Sequence, residues 1–488
     1  MDLTDYAERD AVGLAALVRA GEVSADEVEE TARRAIAEVD PALHATVGDL
    51  LEPALEAAPD GPLGGVPFAL KEVAPHLNGQ VSQLGSRWTA EGITGAADTY
   101  LGQRMRAAGL RVIARTRSPE FAFNATTEPI AHGPTCSPWD LERSVGGSSG
   151  GSSALVAARA LPIAHGTDGG GSIRIPASLC GLVGLKPSRL RIPVGPALWE
   201  ANHGMAHDFV LCRTVRDAAA ALDALHGPGP GEKYVIPPPE RRCAEEVGAD
   251  PGRLRIAWTT DAWSGEPVAP ECQSAVEAAA RALDGLGHDV EPGSPAIDPE
   301  VLHRALLTCW ATGLAQRAAL LERAVGTPAS DDTVEACTLA MIRHGASISA
   351  VQLLDGYGEC NAVGRSIGTF FENVDVLLLP STAKLPWKLG ELDQNDSNLD
   401  TDGWLHKLFS QYAPFTAMFN ITGQPAISLP LAWSERGLPV GVQLVARYGD
   451  EATLLRLASQ LEQHFPWAKR MPRVAVGATV ARTVGARP

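Results

Sequence analysis

Two clusters of glycine and serine, separated by a short apolar segment, constrain this chain more than any other feature of its sequence. Residues 144–178 have the sequence SVGGSSGGSSALVAARALPIAHGTDGGGSIRIPAS. Because glycine lacks a Cβ atom, such clusters allow tight turns and close backbone approaches. The segment therefore predicts either a flexible connection or a site built from serine hydroxyls and backbone amides.

A flexible linker and a phosphate-binding loop both fit this segment poorly. Gly/Ser linkers are uninterrupted and polar, whereas SSALVAARA predicts a helix and LPIAHG a strand between the two clusters. The phosphate-loop pattern G-x-x-x-x-G-K-S/T is absent, and GTDGGGS lacks the G-x-G-x-x-G spacing of dinucleotide-binding loops. Nucleotide binding is therefore not expected.

The nucleophile elbow of α/β-hydrolases is a third interpretation. Residues 146–150, GGSSG, match its G-x-S-x-G pattern with Ser148 at the centre. An elbow follows directly on a buried strand, but the preceding SPWDLERSV is polar and contains a proline. An esterase that uses Ser148 as its nucleophile remains an alternative on the sequence alone.

Apolar strand-like segments alternate with helical ones from residue 62 onward. Strands are expected in GGVPFALKEV, LRVIART, LPIAHG, LRIAWTT, VDVLLLP, QPAISLPL and PVGVQLVAR, and long helices near 268–286, 298–346, 349–372 and 450–464. This alternation is typical of an α/β protein whose sheet is covered by helices on both faces. We expect one large domain around a central mixed, twisted β-sheet.

The first 60 residues are expected to form a helical layer of the same domain. RDAVGLAALVRAGE has an apolar face, and Ser24 with Glu27 forms a capping-box pattern for a second helix that ends before Pro41. A third helix is expected near 48–58. The polar loop 383–404 is expected to be a lid or a surface excursion.

Charge and motif content argue against several classes of function. The net charge of -17 disfavours a nucleic-acid or anionic-membrane surface, and no run reaches the roughly 18 apolar residues of a membrane span. The acidic start MDLTDYAERD does not resemble a signal peptide, so a cytoplasmic location is expected. The 8 cysteines and 12 histidines are scattered without C-x-x-C or H-E-x-x-H, so we expect no disulfide framework, metal or cofactor.

Taken together, the two clusters resemble the amidase signature. GGSSGG, a small-residue helix and GTDGGGSIRIPAS follow one another as in that family, and VPFALKEV, TTEP, CGLVGLKPS and FNITGQPAISLP occur in the family's order. These landmarks run from residue 65 to about residue 445. The resemblance implies the amidase signature fold, a serine hydrolase that cleaves amide C–N bonds, and 61–488 as its catalytic domain.

The resemblance assigns roles to individual residues. Ser172 would be the nucleophile that forms the acyl-enzyme, Ser148 the bridging serine and Lys71 the base, with the serines 24 residues apart as is usual in the family. Two further sets are expected around this Ser-Ser-Lys triad: an oxyanion hole of Gly169, Gly170, Gly171 and Ser172, and the supporting residues Ser149, Asp168 and Arg174.

The residues themselves are consistent with this chemistry. A serine hydroxyl needs a neighbouring base, and a lysine, which titrates at about 10.4 when exposed, supplies one only if burial or nearby donors remove its proton. The apolar VPFAL before Lys71 is consistent with burial. Ser148 would relay the proton between Lys71 and Ser172, and the glycine run would turn N–H groups towards the developing oxyanion.

Within the family, the sequence is similar to nylon-oligomer (6-aminohexanoate cyclic dimer) hydrolases, aryl acylamidases and urethanases, as seen in RMRAAG, RSVGGSSGG and RIPASLCGLVGLKP. The alternative is the A subunit of glutamyl-tRNA amidotransferase, which works only in a complex; KPSRLRIPVGPALWE lacks the tyrosines expected there.

Three departures from the family pattern are Glu72 for aspartate, Gly169 for a residue with a side chain, and Ser137 for asparagine.

Substrate choice is expected to lie in variable segments near 190–210, 300–350 and 383–404. The expected pocket walls are aromatic or thiol-bearing side chains: Phe121, Phe123, Trp199, Cys309 and Trp310. We expect a small-molecule amide or carbamate with an apolar acyl or aryl group. Nucleic acid and membranes are not expected as partners, and a homodimer is left open.

Overall fold

The structure is a computed structural model that describes residues 1–55 and 57–478. Its strands are β1 Pro67–Lys71, β2 Val81–Ser82, β3 Ile93–Thr94, β4 Arg111–Thr116, β5 Cys136–Ser137, β6 Asp140–Ser144, β7 Ile163–Asp168, β8 Val183–Lys186, β9 His207–Cys212, β10 Arg255–Trp258, β11 Asp289–Pro292, β12 Val376–Pro380, β13 Ala426–Trp433 and β14 Pro439–Ala446. Its α-helices are α1 Leu3–Glu8, α2 Ala11–Arg19, α3 Ala25–Leu43, α4 Tyr100–Ala108, α5 Gly150–Ala157, α6 Arg174–Cys180, α7 Val215–Leu225, α8 Pro270–Gly285, α9 Pro299–Val325, α10 Ala336–Ser347, α11 Ala350–Phe370, α12 Thr401–His406, α13 Met418–Thr422 and α14 Glu451–His464. A π-helical segment, Lys407–Tyr412, follows α12.

The central sheet has eight strands in the order β11-β10-β12-β14-β13-β8-β9-β7. It is mixed, because β10 runs parallel to β11 and β12 whereas the pairs from β12 to β7 are antiparallel. Every residue of β12 and β14 is buried, as expected for strands covered by helices on both faces. The predicted single α/β domain with a mixed sheet flanked by helices is confirmed.

The edge of the sheet at β7 brings the candidate site together. β1 and β4 form a parallel pair, and β1 packs beside β7. The GGSSGG cluster directly precedes and enters α5, and the GTDGGGS cluster begins in the last three residues of β7 and continues beyond its end. Since α5 packs against both β7 and α6, the two clusters and the end of β1 meet at one place.

Most of the predicted elements are present. The seven predicted strands correspond to β1, β4, β7, β10, β12, β13 and β14. The predicted helix 298–346 is instead two helices, α9 and α10, because Gly326 adopts a left-handed backbone with φ +84° and ends α9. α6 begins at Arg174, so Ser172 lies in the turn before it.

The N-terminal layer is shorter than predicted. Ser24 caps α3 by accepting the N–H of Glu27 at 3.1 Å, as expected, but α3 continues through Pro41 because its buried face extends to Leu43. The helix predicted near 48–58 is wrong. Residues 46–55 instead run along β4, where Leu51 N–H donates to a β4 carbonyl at 2.8 Å.

Two parts of the sequence-based organisation fall partly outside the described residues. The expected catalytic domain 61–488 includes residues 479–488, and the helix predicted over 48–58 includes residue 56; these lie outside the described residues.

The loop 383–404 packs on the body, since Ser144 N–H donates to Trp387 O at 2.9 Å and Asn124 Nδ2 to Leu392 O at 3.0 Å. Among the described residues, we find no helix with the length and apolar content needed to cross a membrane.

Candidate active site

Lys71 ends the buried strand β1 and lies at the centre of the site. Its side chain is 0% exposed. The Nζ atom donates to Ser148 Oγ at 2.6 Å and to Thr167 Oγ1 at 2.7 Å. The lysine and Ser148, which the resemblance placed in one triad, are therefore directly hydrogen-bonded, and Thr167 is a further partner that was not predicted.

The environment of Lys71 favours the neutral amine. Burial lowers the pKa of Lys71 to about 7, although the carboxylates of Asp208 and Asp168 oppose the shift by stabilising the ammonium. An exposed lysine is almost fully protonated at neutral pH. In this site a large fraction of Lys71 is deprotonated near pH 7 and able to accept a proton.

The GGSSGG cluster is packed so closely that side chains would not fit at its glycines. A Cβ atom on Gly147 would lie 2.3 Å from the carbonyl oxygen of Thr126, and one on Gly150 would lie 2.2 Å from Thr127 Oγ1. The peptide bond between Gly147 and Ser148 is cis. These contacts hold Ser148 in a defined position above Lys71, and they explain why glycine is required there.

Ser149 joins the two glycine clusters. Its hydroxyl donates to Ser172 O at 2.5 Å and accepts the N–H of Thr167 at 3.2 Å, while its own N–H donates to Ser172 O at 3.2 Å. These bonds fix the backbone of Ser172 directly beside the Ser148–Ser149 pair. The three triad residues expected from the sequence are thus brought into one place, with Ser149 as a supporting contact.

Asp168 and Arg174 form a fully buried ion pair beneath the loop 169–173. Arg174 Nε and Nη2 donate to the two carboxylate oxygens of Asp168 at 2.9 and 2.8 Å. Burial would raise the pKa of Asp168, but the charge and hydrogen bonds of Arg174 hold it well below its usual range. Asn420 Nδ2 donates to the same carboxylate at 2.9 Å, and Gln443 accepts from Arg174 at 2.7 Å.

Arg174→Met is expected to lower the free energy of unfolding by about 3–5 kcal/mol, because it leaves the Asp168 carboxylate buried without its cation. Its kcat should fall as well, since Asp168 also orders the loop before Ser172. Thermal unfolding followed by circular dichroism, with kcat measured well below the transition, checks both effects.

Arg191→Met provides the matched control. Arg191 and Glu451 form another buried ion pair, with Arg191 Nη2 and Glu451 Oε2 2.9 Å apart, and the remaining hydrogen bonds of Arg191 go to Pro237 and Gly449. This variant should lose similar stability and keep its kcat. Equal losses of kcat in both variants would contradict a specific role of Asp168 and Arg174 in the loop.

The backbone amides around Ser172 are not equivalent. Within the described part of the chain, the N–H groups of Gly169, Gly170 and Ser172 make no hydrogen bond. The N–H of Gly171, in contrast, donates to Asp168 Oδ1 at 2.8 Å. Of the four expected oxyanion donors, Gly171 is therefore already occupied in this arrangement, and the other three are available to a ligand.

The departures from the family pattern leave the triad in place. A Cβ atom on Gly169 would meet its nearest neighbours at 3.4–3.6 Å, which is ordinary contact, so this glycine is not required by packing. Glu72 is buried, accepts the N–H of Gln83 at 2.5 Å, and has a pKa raised by burial to about 7. Ser137 is buried in β5, and its hydroxyl accepts the N–H of Trp139 at 3.3 Å.

Four aromatic side chains form one cluster, of which Trp310 and Phe409 border the loop 169–173, and we call them the aromatic wall: Phe123, Trp310, Trp404 and Phe409. Their ring centroids are 5.0 Å apart for Phe123 and Trp310, 6.2 Å for Trp310 and Phe409, and 6.4 Å for Phe123 and Trp404. A Cβ atom on Gly170 would lie 2.7 Å from the Phe409 ring and 3.5 Å from Trp310. Of the predicted pocket residues, Trp310 therefore lies beside the loop, and Phe123 packs against Trp310.

The other three predicted pocket residues are placed differently. Trp199 is 64% exposed and carries a lysine ammonium 4.0 Å above its ring. Phe121 packs edge-on against Trp88. Cys309 is buried with its Sγ 3.7 Å from Cys360 Sγ on α11. Among the described residues, none of these three rings or thiols forms a ring contact with the aromatic wall.

Several residues of the site were not identified from the sequence. Thr167 and Asn420 lie within quoted motifs, GTDGGGS and FNITGQPAISLP, but nothing in their type indicated a role. Gln443 carried a usable signal, because it is a polar residue inside the apolar strand PVGVQLVAR, and buried polar groups in strands require partners. Phe409 and Trp404 could not be found, since their approach to the loop depends on long-range packing.

Beside the lysine, three described residues form a group whose donor atoms could hold a metal ion. These are His76, His165 and Asp208, with ligand atoms within 4.8 Å of one another. His165 Nε2 and Asp208 Oδ1 are 3.1 Å apart, a distance at which the imidazole hydrogen-bonds directly to the carboxylate. The carboxylate is therefore satisfied without an ion.

Comparison with known proteins agrees with this geometry. The family model described as Amidase matches residues 25–455. The 6-aminohexanoate-cyclic-dimer hydrolases of Pseudomonas sp. (strain NK87) and Paenarthrobacter ureafaciens are each 38% identical over 477 residues, covering 96% of this chain and 97% of theirs.

Solved structures show the same relationship. A 6-aminohexanoate cyclic dimer hydrolase complexed with substrate has a TM-score of 0.89 and 36% identity, covering 96% of this chain and 99% of that chain. A bacterial aryl acylamidase of the amidase signature family shares the fold, with a TM-score of 0.82, 24% identity, and coverage of 95% and 99%. The family expected from the sequence is confirmed: the chain belongs to the amidase signature family and is an amide hydrolase.

Proposed function

We propose that the chain hydrolyses amides through an acyl-enzyme on Ser172, with Lys71 as the base and Ser148 as the proton relay. The observation that carries this proposal is the 2.6 Å hydrogen bond from the fully buried Lys71 Nζ to Ser148 Oγ. A buried lysine that keeps its positive charge is usually paired with a carboxylate. Lys71 instead donates to two hydroxyls, Ser148 and Thr167, which suits a group that exchanges protons.

Acylation follows from these contacts. Neutral Lys71 takes the hydroxyl proton of Ser148 as Ser148 takes that of Ser172, and Ser172 Oγ attacks the amide carbonyl carbon. The carbonyl oxygen becomes an anion within reach of the N–H groups of Gly169, Gly170 and Ser172, and each such donor is worth about 3 kcal/mol. The proton then passes back through Ser148 to the leaving amine as the C–N bond breaks.

Deacylation repeats the same transfers with water in place of the serine hydroxyl. Water loses its proton through Ser148 to Lys71 and attacks the acyl carbon, and Ser172 leaves with a proton returned along the same route. The carboxylic acid product is released, and the lysine is neutral again. Each proton that leaves a nucleophile is thus returned to a leaving group, so the cycle is balanced.

Exposure supports Ser172 over Ser148 as the attacking group. Ser148 is 0% exposed and already accepts from Lys71, whereas Ser172 is 7% exposed and lies in the loop of unbonded amides. The α/β-hydrolase alternative also needs a strand directly before Ser148. The short strand β6 ends at Ser144 in an edge hairpin outside the central sheet, which does not provide that elbow.

The aromatic wall supports a substrate with an apolar or aryl group next to the scissile amide. Trp310 and the half-buried Phe409 lie against the loop 169–173, and the buried rings of Phe123 and Trp404 belong to the same cluster. Aromatic surfaces of this kind contribute most of the affinity for apolar ligands. The similarity to 6-aminohexanoate-cyclic-dimer hydrolases, which are 38% identical over nearly the full chain, makes cyclic and linear oligomeric amides further candidate substrates. Carbamates (urethanes) and esters are also candidate substrates, because their cleavage begins with the same attack on a carbonyl carbon.

A substrate panel on the purified chain tests the proposal. The panel contains 6-aminohexanoate cyclic dimer, p-nitroacetanilide, a p-nitrophenyl carbamate and p-nitrophenyl acetate under identical conditions. We expect turnover of at least one amide by the chain alone, with rates that rise with the apolar character of the acyl or aryl group. The readouts are released p-nitroaniline or p-nitrophenol, and released amine for the cyclic dimer.

The amidotransferase alternative makes the opposite prediction. A folded chain that turns over no member of the panel by itself, but gains activity when partner subunits are added, would overturn the stand-alone hydrolase. The panel also determines the preference among amide, carbamate and ester. A cytoplasmic location and a homodimer remain predictions that the panel does not address.

A further inference from the structure

Asp208 lies on β9 beside Thr167, the β7 residue that accepts a hydrogen bond from Lys71. Thr167, which accepts from Lys71 Nζ at 2.7 Å, is on β7, and Asp208 is directly opposite it on β9 in the antiparallel register. Directly opposite residues in such a pair have their side chains on the same face, with Cβ atoms about 4.5–5.5 Å apart. Asp208 therefore neighbours Thr167 on the face of the sheet that Lys71 Nζ contacts.

Two histidines hold the carboxylate of Asp208. His165 Nε2 is 3.1 Å from Asp208 Oδ1, and His76 Nε2 is 3.5 Å from the same oxygen. The imidazoles meet edge-to-face with their ring centroids 4.9 Å apart. Burial lowers the pKa of His165 to about 4, so this histidine is neutral near pH 7 and does not cancel the charge of Asp208.

The charges that face Lys71 come from three elements. Asp168 on β7 is engaged by Arg174, so its charge is largely compensated. Arg317 on α9 opposes protonation of Lys71, whereas Asp208 on β9 favours it. Asp208 is thus the carboxylate near Lys71 whose side-chain hydrogen bond comes from His165, with His76 Nε2 3.5 Å from the same oxygen.

We infer that Asp208 is a positioning residue whose carboxylate stabilises the Lys71 ammonium formed during each proton transfer, with His165 and His76 holding that carboxylate in place. This inference rests on the proposed function, because it requires Lys71 to be the base. The lysine gains a positive charge in a fully buried site when it takes the proton. A fixed negative charge near it offsets part of the cost of that buried cation.

The balance of Asp208 and Arg317 also determines the pH at which Lys71 becomes a base. Burial lowers the pKa of Lys71 to about 7, with Asp208 opposing and Arg317 adding to that shift. Removal of the Asp208 charge lowers the proton affinity of Lys71 further, so the acidic limb of the activity profile moves to lower pH. Removal of the Arg317 charge moves it to higher pH.

The test compares Asp208→Asn, Arg317→Gln and the double variant by kcat and kcat/KM from pH 5 to 9. For Asp208→Asn we expect the acidic limb to move down by about one pH unit and the plateau kcat to fall by about tenfold, the rate equivalent of that shift. For Arg317→Gln the limb should move up. In the double variant the two shifts should largely cancel, and Asp208→Glu should restore most of the kcat.

Shifts of the acidic limb in opposite directions distinguish this role from general damage to the fold. Damage to the fold would lower the plateau kcat of both single variants without moving their acidic limbs. If Asp208→Asn does not fold, the double variant tests the inference, because it removes both buried charges together and should keep a limb near that of the wild type. An unchanged limb in Asp208→Asn would overturn the inference alone. A wild-type limb that persists without Lys71 would instead overturn the proposed function.

Discussion

Ser172→Ala is expected to lower kcat/KM for the best amide substrate by about 10⁴-fold or more, because the acyl-enzyme can no longer form and only binding and oxyanion stabilisation remain. The same variant should not be labelled by a fluorophosphonate, which modifies activated serine nucleophiles. Initial rates and intact-protein mass spectra measure these two effects. The fold should be unchanged, since the hydrogen bonds to residue 172 use its backbone carbonyl.

Ser148→Ala is the matched variant. It removes the hydroxyl that accepts from Lys71 at 2.6 Å but leaves the proposed nucleophile, so kcat should fall by about 10²–10⁴-fold, the range of general acid–base catalysis. Slow fluorophosphonate labelling should persist, and peptide mapping should place it on Ser172. Labelling of Ser148 in Ser172→Ala would contradict the assignment and favour the α/β-hydrolase alternative.

The sequence predicted those parts of the molecule that local patterns determine. Continuous apolar segments such as VDVLLLP predicted buried strands, since a strand covered on both faces has no polar side, and β12 has that burial. The triad could be predicted because Lys71, Ser148 and Ser172 lie in three separate motifs whose order resembles one family, and it stays a prediction. The structure adds the contact between Lys71 and Ser148, residues 77 positions apart.

Features that depend on distant parts of the chain could not be predicted. Residues 48–58 have a composition that suits a helix, yet residues 48–55 lie along β4, where the strand supplies backbone partners for Leu51 and Leu55. The glycine run suggested four equivalent amides, but Asp168 takes the N–H of Gly171. Trp199 was expected in the pocket from its type alone and is 64% exposed.

The proposed roles also explain why this site tolerates a buried lysine. A charged group in a fully buried position is costly, and Lys71 avoids carrying that charge because burial leaves it substantially neutral near pH 7. A buried lysine that keeps its charge is usually paired with a carboxylate instead. Here the neutral amine is the form that catalysis needs, so the burial that weakens the fold at low pH is also what activates the base.

Lys71→Met is expected to lower kcat/KM by about 10³-fold, within the range for loss of a general base, and to abolish its dependence on pH between 5 and 8. In the wild type, only the neutral amine accepts a proton, and the pKa of Lys71 is about 7. Activity should therefore fall about tenfold for each pH unit below 7 and level off above it. Profiles of kcat/KM against pH for both proteins provide the measurement.

Lys186→Met is the control that separates a catalytic lysine from any buried lysine. Lys186 is also 0% exposed, and burial lowers its pKa well below the usual range, but its Nζ donates to the carbonyl of Pro187 at 2.9 Å rather than to a triad serine. This variant should keep the acidic limb near pH 7 even if its plateau is reduced. An acidic limb that disappears with Lys186 and survives without Lys71 would show that the base has been assigned to the wrong lysine.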